Sequence, residues 1–456
     1  MKHIWKTLLA LAVAFVAVGA LAQADPAELA ARQGDPGNAF WNPTAANLAA
    51  WNVVDGVEEG ATVTWWTMSL SPTFNPYLEQ IIANFEATYP GITVDWEDVP
   101  WDGLQARVRN SFSAGNPPDV ANISWSWIAE FAGAGLLRDT DDLMRPYPQL
   151  RGLFVDSAWT TGAFQGVSYH VPWYLGLSDF VGYNRSLLAE CGLTESDLPR
   201  TWVELRDFAR LTLDTCGYYA TSLNFGPATE LYLLQYLVYN DVPVFNDDGT
   251  VALNTPEAAE ALQIWVDLIQ EDLVPRSSLT DDHRNMIDRF SEGETLLVMV
   301  APHMLRLVAE NNPAVYADLG VTQGITGSSG AKRMDVQSLV IPNASANPNA
   351  ALALALFITN PETQAEFSKW AGIFPSNLSS YADPYFQTTE GGQLPMIRPL
   401  AFDYVRTADN RVVTFPRDAE VQQIVTEAAQ AALLGQMTAQ EALDQMSERI
   451  NALLGN

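Results

Sequence analysis

Strand-like and helix-like hydrophobic patterns alternate at the start of the main part of the chain. Apolar and polar residues alternate at 61–66, as in a strand with one buried face, and apolar residues recur at helical spacing at 78–85. Two further strand patterns, at 92–96 and 120–124, flank a second helical segment. Strand–helix–strand alternation at this spacing predicts an α/β fold with a mainly parallel sheet and right-handed crossovers.

Helix-start signals continue this alternation through the rest of the chain. Residues 201–204 and 438–441 are capping boxes, in which a threonine hydroxyl and a glutamate carboxylate satisfy free backbone N–H groups. Residues 255–256 and 360–361 place a capping side chain before a proline, which suits the first position of a helix. We expect a helix to begin at each of these four sites.

The first 24 residues have the features of a secretory signal peptide. A basic start at residues 2–6 precedes an unbroken apolar stretch at 8–21, and residues 22–24 (Ala-Gln-Ala) match an A-x-A cleavage site. The apolar stretch is short for a transmembrane helix, so a membrane anchor is the less favoured alternative. We predict cleavage after Ala24 and no lipid anchor, because no cysteine stands at the cleavage site. The product is expected to be free in the periplasm, or secreted.

Composition limits the classes of partner. Hydrophobic residues make up 48% of the chain, which supports well-packed cores, and the length suits two or three domains. The formal net charge of −30 disfavours binding to nucleic acid and to anionic lipid. We expect a monomer that binds no nucleic acid.

The two cysteines and four histidines say little about catalysis. In an oxidising compartment Cys191 and Cys216 are expected to form a disulfide that contributes roughly 3 kcal/mol, the alternative being two buried thiols. The histidines lack the spacing of a zinc site, so we expect no metal and no cofactor. Residues 246–249 (Asn-Asp-Asp-Gly) lack the spacing of a calcium-binding loop and are interpreted as a turn.

Several short motifs occur in the order that is typical of one protein family. They lie at residues 85–94 (FEATYPGITV), 114–120 (AGNPPDV), 134–143, 166–184, 199–205 (PRTWVEL) and 290–294 (FSEGE). With these motifs, residues 61–456 resemble the bacterial extracellular solute-binding proteins of the maltose-binding-protein type, the receptors of carbohydrate ABC importers. The segment before residue 61 is longer than the family usually shows, and Thr295 and Leu296 replace an alanine pair.

The resemblance implies a two-lobed periplasmic-binding-protein fold. Each α/β lobe would be built from discontinuous segments, joined by a hinge, with the ligand in a cleft between the lobes. On this basis lobe one comprises residues 61–177 plus 327–360, and lobe two comprises 178–326 plus 361–456. Residues 25–60 would form an N-terminal extension that lies on the surface or is only partly ordered.

Sugar sites combine aromatic rings, which cover the flat C–H faces of a sugar, with polar groups for its rim. In open α/β sheets such ligands bind beyond the carboxyl ends of the strands. The candidate contacts at these positions in lobe one are Trp66, Ser69, Asn122, Trp125, Trp127, Trp173 and Tyr174. The alternative for each aromatic residue is a place in the core, and Trp66 is preferred to Trp65 because neighbours on a strand face opposite ways.

Further candidate contacts come from the crossovers, from a buried strand end and from the resemblance. They are Asp179, Asn224, Phe225, Glu230, His303, Arg333, Asp335, Trp370 and Phe374. The resemblance supplies the contacts at 224–230 and a cleft loop at 370–374. Asp179 could instead be a surface charge, and His303 could be a structural histidine.

These features predict a transport receptor and not an enzyme. Arg333 is the only basic side chain near the candidates, which favours a neutral sugar or oligosaccharide over an anionic ligand. A polyamine is the alternative ligand. An exported hydrolase is less favoured, because no spacing marks a carboxylate pair and no G-x-S-x-G motif is present. By the resemblance, the ligand closes the hinge and the closed form docks on the importer's membrane permease.

Overall fold

The computed structural model describes residues 26–177, 180–225, 233–246, 250–300, 304–389, 395–409, 415 and 417–455. The turn expected at residues 246–249 and the signal peptide at residues 1–24 lie largely or wholly outside them. Among the helices in this part of the chain, none is both long enough and apolar enough to cross a membrane.

The described residues form eleven strands and twenty α-helices, together with several short 3₁₀ helices. The strands are β1 (Thr62–Met68), β2 (Thr93–Val99), β3 (Val120–Ser124), β4 (Ala163–Phe164), β5 (Val167–Ser168), β6 (Val171–Leu177), β7 (Phe180–Asn184), β8 (Leu297–Val300), β9 (Leu319–Gln323), β10 (Met334–Val340) and β11 (Phe374–Pro375). The helices are α1 (Pro26–Gly34), α2 (Ala45–Trp51), α3 (Asn75–Thr88), α4 (Trp101–Ser113), α5 (Ile128–Gly133), α6 (Thr140–Met144), α7 (Pro148–Arg151), α8 (Asp156–Thr161), α9 (Arg185–Glu190), α10 (Trp202–Cys216), α11 (Leu233–Tyr239), α12 (Pro256–Gln270), α13 (His283–Glu292), α14 (Leu305–Asn311), α15 (Pro313–Ala317), α16 (Pro348–Ile358), α17 (Pro361–Ala371), α18 (Arg398–Thr407), α19 (Asp418–Leu433) and α20 (Ala439–Leu454).

The larger sheet has six strands in the order β11-β6-β10-β3-β1-β2. Its strands β1, β2 and β3 are parallel, which confirms the arrangement predicted from the alternation at 61–124. Strand β10 returns from far along the chain and pairs antiparallel with both β3 and β6. The sheet is therefore mixed, because these later strands enter it from a different part of the chain.

The smaller sheet has three strands in the order β8-β7-β9, and both pairings are antiparallel. The prediction of a mainly parallel sheet is wrong for this second sheet. Strand β7 follows β6 of the larger sheet almost at once, and β9 leads back to β10. These two chain segments, 177–180 and 323–334, connect the two sheets.

Both faces of the larger sheet are covered. Val63 and Trp65 of β1 lie in a core with α3 and α16, whereas Met68 lies in a second core with α4 on the opposite face. A separate core surrounds α10, α12, α19 and α20. A fourth cluster, which includes Leu177 and Phe180, packs between the two sheets.

The four predicted helix starts are confirmed. Thr201 and Thr438 complete capping boxes with the glutamates three residues later. Thr255 and Asn360 each accept a hydrogen bond from a backbone N–H of the first helical turn, with proline directly after the cap. Local cap hydrogen bonds therefore mark where these helices begin.

The predicted disulfide is also confirmed. Cys191 and Cys216 are bonded, with their Cα atoms 5.2 Å apart. The bond joins the residue after α9 to the last residue of α10, so it ties the C-terminal ends of these two helices together.

The N-terminal extension is packed more deeply than expected. It contains α1 and α2, and Phe40, Trp41 and Trp51 are buried in the same core as Trp65. The carboxylate of Glu366 on α17 accepts hydrogen bonds from Arg32 Nε at 2.8 Å and from Trp41 Nε1 at 2.7 Å. The expectation of a surface segment is wrong for these aromatic residues, because they pack into the core with Trp65, and a buried carboxylate 325 residues away holds the Trp41 ring.

Candidate functional site

Polar and aromatic residues collect at one edge of the larger sheet. Strands β1 and β3 are parallel, so Ser69 after β1 and Trp125 after β3 lie at the same edge. Strand β10 runs the other way, with Gln337 paired to Ser124, so the residue before it, Arg333, also lies at this edge. The topology thus brings together three predicted site residues that are far apart in the sequence.

The loop after β1 is held by Asp98. Its carboxylate accepts hydrogen bonds from Thr67 Oγ1 at 2.7 Å, from the Leu70 N–H at 3.0 Å and from the Ser71 N–H at 3.1 Å. Ser69 lies within this loop, is exposed and has a φ of 52°. The carboxylate therefore presents the predicted Ser69 side chain to solvent on a fixed backbone.

Trp66 is half-buried, whereas Trp65 is fully buried, as predicted for neighbours on a strand. The guanidinium of Arg107 lies 4.1 Å from the centre of a Trp66 ring. Glu97 accepts two hydrogen bonds from this guanidinium, which hold the pKa of the Glu97 carboxyl below its usual value. A cation thus already covers one face of Trp66.

The predicted site residues in and around β3 and β10 differ in how exposed they are. Trp125 and Trp127 are partly buried in a short 3₁₀ helix, and Trp125 packs against two of the cores. Asn122 is fully buried, with its Nδ2 3.3 Å from Gln337 Oε1 and no hydrogen-bond partner for its Oδ1 within the described residues. Asp335 on β10 is exposed.

Four other aromatic candidates lie in the protein interior. Trp173 is fully buried and stacks on Phe367 with the ring centres 5.5 Å apart. Tyr174 is 2% exposed, and burial raises the pKa of its hydroxyl. Trp370 and Phe374 are also buried, Trp370 beside Trp41. The structure places these rings in the core and not on an open surface, because α17 packs directly onto β6.

A cavity of about 220 Å³ lies beside the crossover that leads to β10. The residues that line it are Trp202, Leu223, Asn224, Phe225, Gln235, Tyr236, Tyr239, Trp265, Met286, Met299, Ile325, Thr326, Ala331 and Arg333. Three of these, Asn224, Phe225 and Arg333, are predicted site residues. The cavity therefore brings Asn224 and Phe225 together with Arg333, which lies much further along the chain.

An aromatic cluster forms one side of this cavity. The Trp265 ring centre lies 4.3 Å from that of Tyr236, 4.9 Å from that of Phe225 and 6.1 Å from that of Trp202. Trp202 and Tyr236 meet edge to face at 5.0 Å. Helices α10, α11 and α12 each supply one ring, so the shape of the cluster depends on how these three helices pack.

The polar groups of the cavity include an amide that is held by a histidine. Asn224 Nδ2 lies 3.0 Å from His283 Nε2, and the amide donates to the neutral ring nitrogen. Burial lowers the pKa of His283, and the charge of Arg333 lowers it further, against the opposing effect of Asp282. His283 therefore stays uncharged at neutral pH, which keeps the amide of Asn224 in one orientation.

Sequence reasoning missed Trp202, Tyr236 and Trp265. Trp202 lies in the capping box predicted at 201–204, and Trp265 lies in the helix predicted to begin at 255–256; both helices are confirmed, but neither pattern points to a ligand contact. One sequence signal could have found the two tryptophans. The helices α10 and α12, which precede and follow the predicted contacts at 224–225 in the chain, each contain one of them. Three candidates, Asp179, Glu230 and His303, lie outside the described residues.

Comparison with known proteins identifies the family. The profile of the bacterial extracellular solute-binding proteins matches residues 71–365. The chain belongs to this family. A protein of Brucella abortus (strain 2308), provisionally named a binding protein, is 25% identical over 382 residues, which are 83% of this chain and 90% of that protein. The sn-glycerol-3-phosphate-binding periplasmic protein of Rhizobium meliloti (strain 1021) is 21% identical over 429 residues, 87% of this chain and 94% of that protein.

Solved structures share the fold of this solute-binding protein. A crystal structure from Synechococcus sp. MITs9220, provisionally named an oligosaccharide periplasmic-binding protein, superposes with a TM-score of 0.75 at 27% identity, covering 86% of this chain and 99% of that one. The cyclic α-maltosyl-1,6-maltose binding protein of Arthrobacter globiformis gives a TM-score of 0.69 at 23% identity, covering 86% and 98%. The two-lobed fold predicted by the resemblance is thereby confirmed.

No group of three or more potential metal ligands occurs among the residues that the structure describes. The lining of the cavity is instead aromatic, apolar and amide-rich, with one guanidinium. Such a surface can hold a flat organic molecule by ring contacts and hydrogen bonds.

Proposed function

We propose that this protein is the receptor of an ABC importer and that its ligand is a neutral sugar or oligosaccharide. The observation that carries the proposal is the aromatic cluster of Trp202, Tyr236 and Trp265 beside the amide of Asn224. Aromatic rings suit the C–H faces of a sugar, and amides suit its hydroxyls. The names of structurally similar proteins, several of which bind oligosaccharides, support the same ligand class.

The charge of the cavity argues against a polyamine. Carboxylates are the groups that a polyamine requires, and none of the lining residues within the described part of the chain is acidic. The charged side chain at the cavity is Arg333, which would repel a cation. A glycoside hydrolase acts through a pair of carboxylates, so the absence of acidic side chains among the described lining residues disfavours this function as well.

The ligand would bind between two lobes that close around it. Lobe one would comprise residues 61–177 and 327–360, and lobe two 178–326 and the C-terminal part of the chain. The burial of Phe367 and Trp370 in the core with Trp65 supports assigning α17 to lobe one, although the sequence placed it in lobe two. Closure would follow from the differential affinity of the ligand for the two forms, and the closed form would dock on the permease.

The protein would be exported and monomeric. Cleavage after Ala24 would release it to the periplasm without a lipid anchor, as the sequence of residues 1–24 predicts. The family is extracellular, which agrees with this route.

Thermal melts of the protein without residues 1–24 test the ligand class. The panel is glucose, maltose, cellobiose and maltotriose, with spermidine as the alternative ligand. A sugar at about 100 times its Kd should stabilise the native state by roughly 2.7 kcal/mol and raise the Tm. A rise with spermidine and with none of the sugars would show that the ligand is a cation, and consumption of a sugar would show that the protein is an enzyme.

A further inference from the structure

His283 lies directly behind an amide that lines the cavity. It is the first residue of α13 and is half-buried, and its Nε2 lies 3.0 Å from Asn224 Nδ2. An amide nitrogen donates hydrogen bonds and accepts none, so the ring accepts at Nε2 and carries its own proton on Nδ1. The contact therefore depends on a histidine ring that is neutral.

The backbone around Asn224 is fixed to the segment that precedes α13. The Leu223 N–H donates to Ser278 Oγ at 3.1 Å, and the Phe225 N–H donates to the Ser278 carbonyl oxygen at 2.7 Å. Ser278 is fully buried. A change at His283 therefore acts on the side chain of Asn224, because the main chain on both sides of this residue is held in place.

The surroundings of His283 disfavour a positive charge on its ring. Burial lowers the pKa of His283, and the charge of Arg333 lowers it further. The ring also lies at the N-terminal end of α13, where the helix dipole is positive. Asp282, the N-cap of the same helix, opposes these effects. Because the pKa lies below the ordinary value of 6.5, the ring is neutral at neutral pH and takes up a proton only in acid.

A proton on Nε2 would turn the Asn224 amide. The imidazolium carries an N–H on both ring nitrogens, so Nε2–H would face the NH₂ group of the amide as one donor against another. Half a turn of the amide removes this conflict, because its oxygen then accepts from Nε2–H. The same turn exchanges donor and acceptor toward the cavity, so a ligand hydroxyl that pairs with Asn224 loses its partner.

We propose that His283 is a pH-sensitive positioning residue of the binding site. Its neutral ring holds the Asn224 amide in the orientation that binds the ligand, and protonation of the ring reverses the amide and weakens binding. The inference rests on the proposed function, since it requires that a neutral sugar contacts Asn224. It adds regulation of that site by acid.

Isothermal titration of the protein without residues 1–24, at pH 7.5 and at pH 4.5, tests this proposal. The probes are glucose, maltose, cellobiose and maltotriose. For the sugar that binds most tightly at pH 7.5, Kd should rise about threefold to tenfold at pH 4.5, the loss expected for one hydrogen bond. A thermal melt at each pH establishes that the protein is folded during the titration.

Two substitutions of His283 separate protonation of the ring from a merely structural role. The amide oxygen of glutamine accepts a hydrogen bond and does not titrate, so His283→Gln should keep the wild-type Kd at pH 7.5 and show no rise at pH 4.5. Leucine offers no acceptor, so His283→Leu should weaken binding at both pH values. His170→Gln is the matched control, since His170 is a buried histidine that bonds to Ser338 and Trp159, and it should show the same rise as the wild type.

A readout without sugar keeps this inference distinct from the proposed function. In NMR spectra of the unliganded protein, the ring signals of His283 and the side-chain NH₂ signals of Asn224 should shift together, with one midpoint below pH 6.5. NH₂ signals that do not follow the titration of the ring overturn the positioning role, whatever the protein binds.

The titrations with sugar give the remaining outcomes. A rise of Kd in acid that is absent from His283→Gln supports the proposal. An unchanged or lower Kd in acid, or an equal rise in His283→Gln, overturns it while the receptor function stands. Absence of binding to every sugar at pH 7.5 overturns the proposed ligand class, and the regulation of sugar binding with it, even where the two NMR signals titrate together.

Discussion

His170 shows how burial changes the chemistry of a single residue. It is fully buried, with Nδ1 2.6 Å from Ser338 Oγ and Nε2 3.0 Å from the Trp159 carbonyl oxygen. Nε2–H donates to the carbonyl, so Nδ1 accepts from the serine hydroxyl and the ring is neutral. Burial lowers the pKa of His170 to about 4; the Asp141 carboxylate opposes this shift and Arg151 adds to it.

This shift predicts a loss of stability in acid. Between pH 6.5 and about 4 the unfolded chain binds a proton at His170 that the folded chain does not, so the free energy of unfolding falls as the pH falls. The full loss is roughly 3 kcal/mol, at 1.36 kcal/mol per pKa unit. Urea unfolding of the wild type and His170→Gln at pH 7.5 and pH 4.5 measures it. The variant should lose less stability than the wild type over this range, and equal losses would contradict the assignment.

The N-terminal extension and α17 form one structural element through Glu366. The Glu366 side chain is 2% exposed and pairs with Arg32, whose side chain is 12% exposed. Asn38 Nδ2 lies 3.3 Å from the same carboxylate. The sequence does not reveal this contact, because nothing local to the extension points to a partner so far along the chain.

Glu366→Ala should therefore destabilise the protein strongly. Removing the carboxylate breaks the buried pair with Arg32 Nε and leaves the buried Trp41 Nε1–H without its acceptor, and breaking a buried pair costs about 3–5 kcal/mol. The control is Glu28→Ala, which removes the other carboxylate paired with Arg32, at 43% exposure. An exposed pair contributes about 0–1 kcal/mol, so this variant should stay near the wild type in urea unfolding. Limited proteolysis should cut residues 34–44 only in Glu366→Ala.

The contribution of the Cys191–Cys216 disulfide to stability can be tested separately. It closes a segment with a sequence separation of 25, for which the loss of unfolded-chain entropy is roughly 3 kcal/mol. The double variant Cys191→Ser/Cys216→Ser should lose about this much stability in urea and keep its sugar affinity, since neither cysteine lines the cavity. An unchanged unfolding midpoint would mean that the bond adds no net stability.

At the scale of the whole molecule, the crossover into β10 joins the two sheets and is held by contacts with the end of α11. A Cβ atom on Gly327 would lie 2.2 Å from the Tyr239 carbonyl oxygen, and the Gly327 N–H donates to that oxygen at 3.1 Å. Asp241 accepts hydrogen bonds from Ser328 Oγ at 2.8 Å and from the Ser329 N–H at 2.9 Å. The segment that joins the sheets is thus fastened to the end of α11, which borders the cavity.

Gly327→Ala should disturb this junction. The backbone must move to relieve the contact, at a cost of about 1–3 kcal/mol, and the shift should also weaken sugar binding because Arg333 follows in the same segment. Thermal melts and isothermal titration measure the two effects. Gly34→Ala is the control, since a Cβ there meets nothing within 4 Å, and it should leave both quantities unchanged.

Much of the fold could be predicted from local patterns. Capping boxes, proline at helix starts and the alternation at 61–124 depend on hydrogen bonds and burial within a few residues, and the structure confirms them. The family and the disulfide were also predicted correctly. The antiparallel β10 was not, because its partners β3 and β6 lie in a distant, earlier part of the chain.

The candidate site was predicted less well, and the tryptophans show why. The sequence by itself determined that the chain is an acidic, two-lobed solute-binding protein rich in aromatic residues. Only the tertiary structure decided that Trp173 and Trp370 pack in the core while Trp202 and Trp265 line a cavity. An indole ring is large and apolar enough for either position, so its place depends on which helices pack against it, and that is settled by contacts between distant segments of the chain.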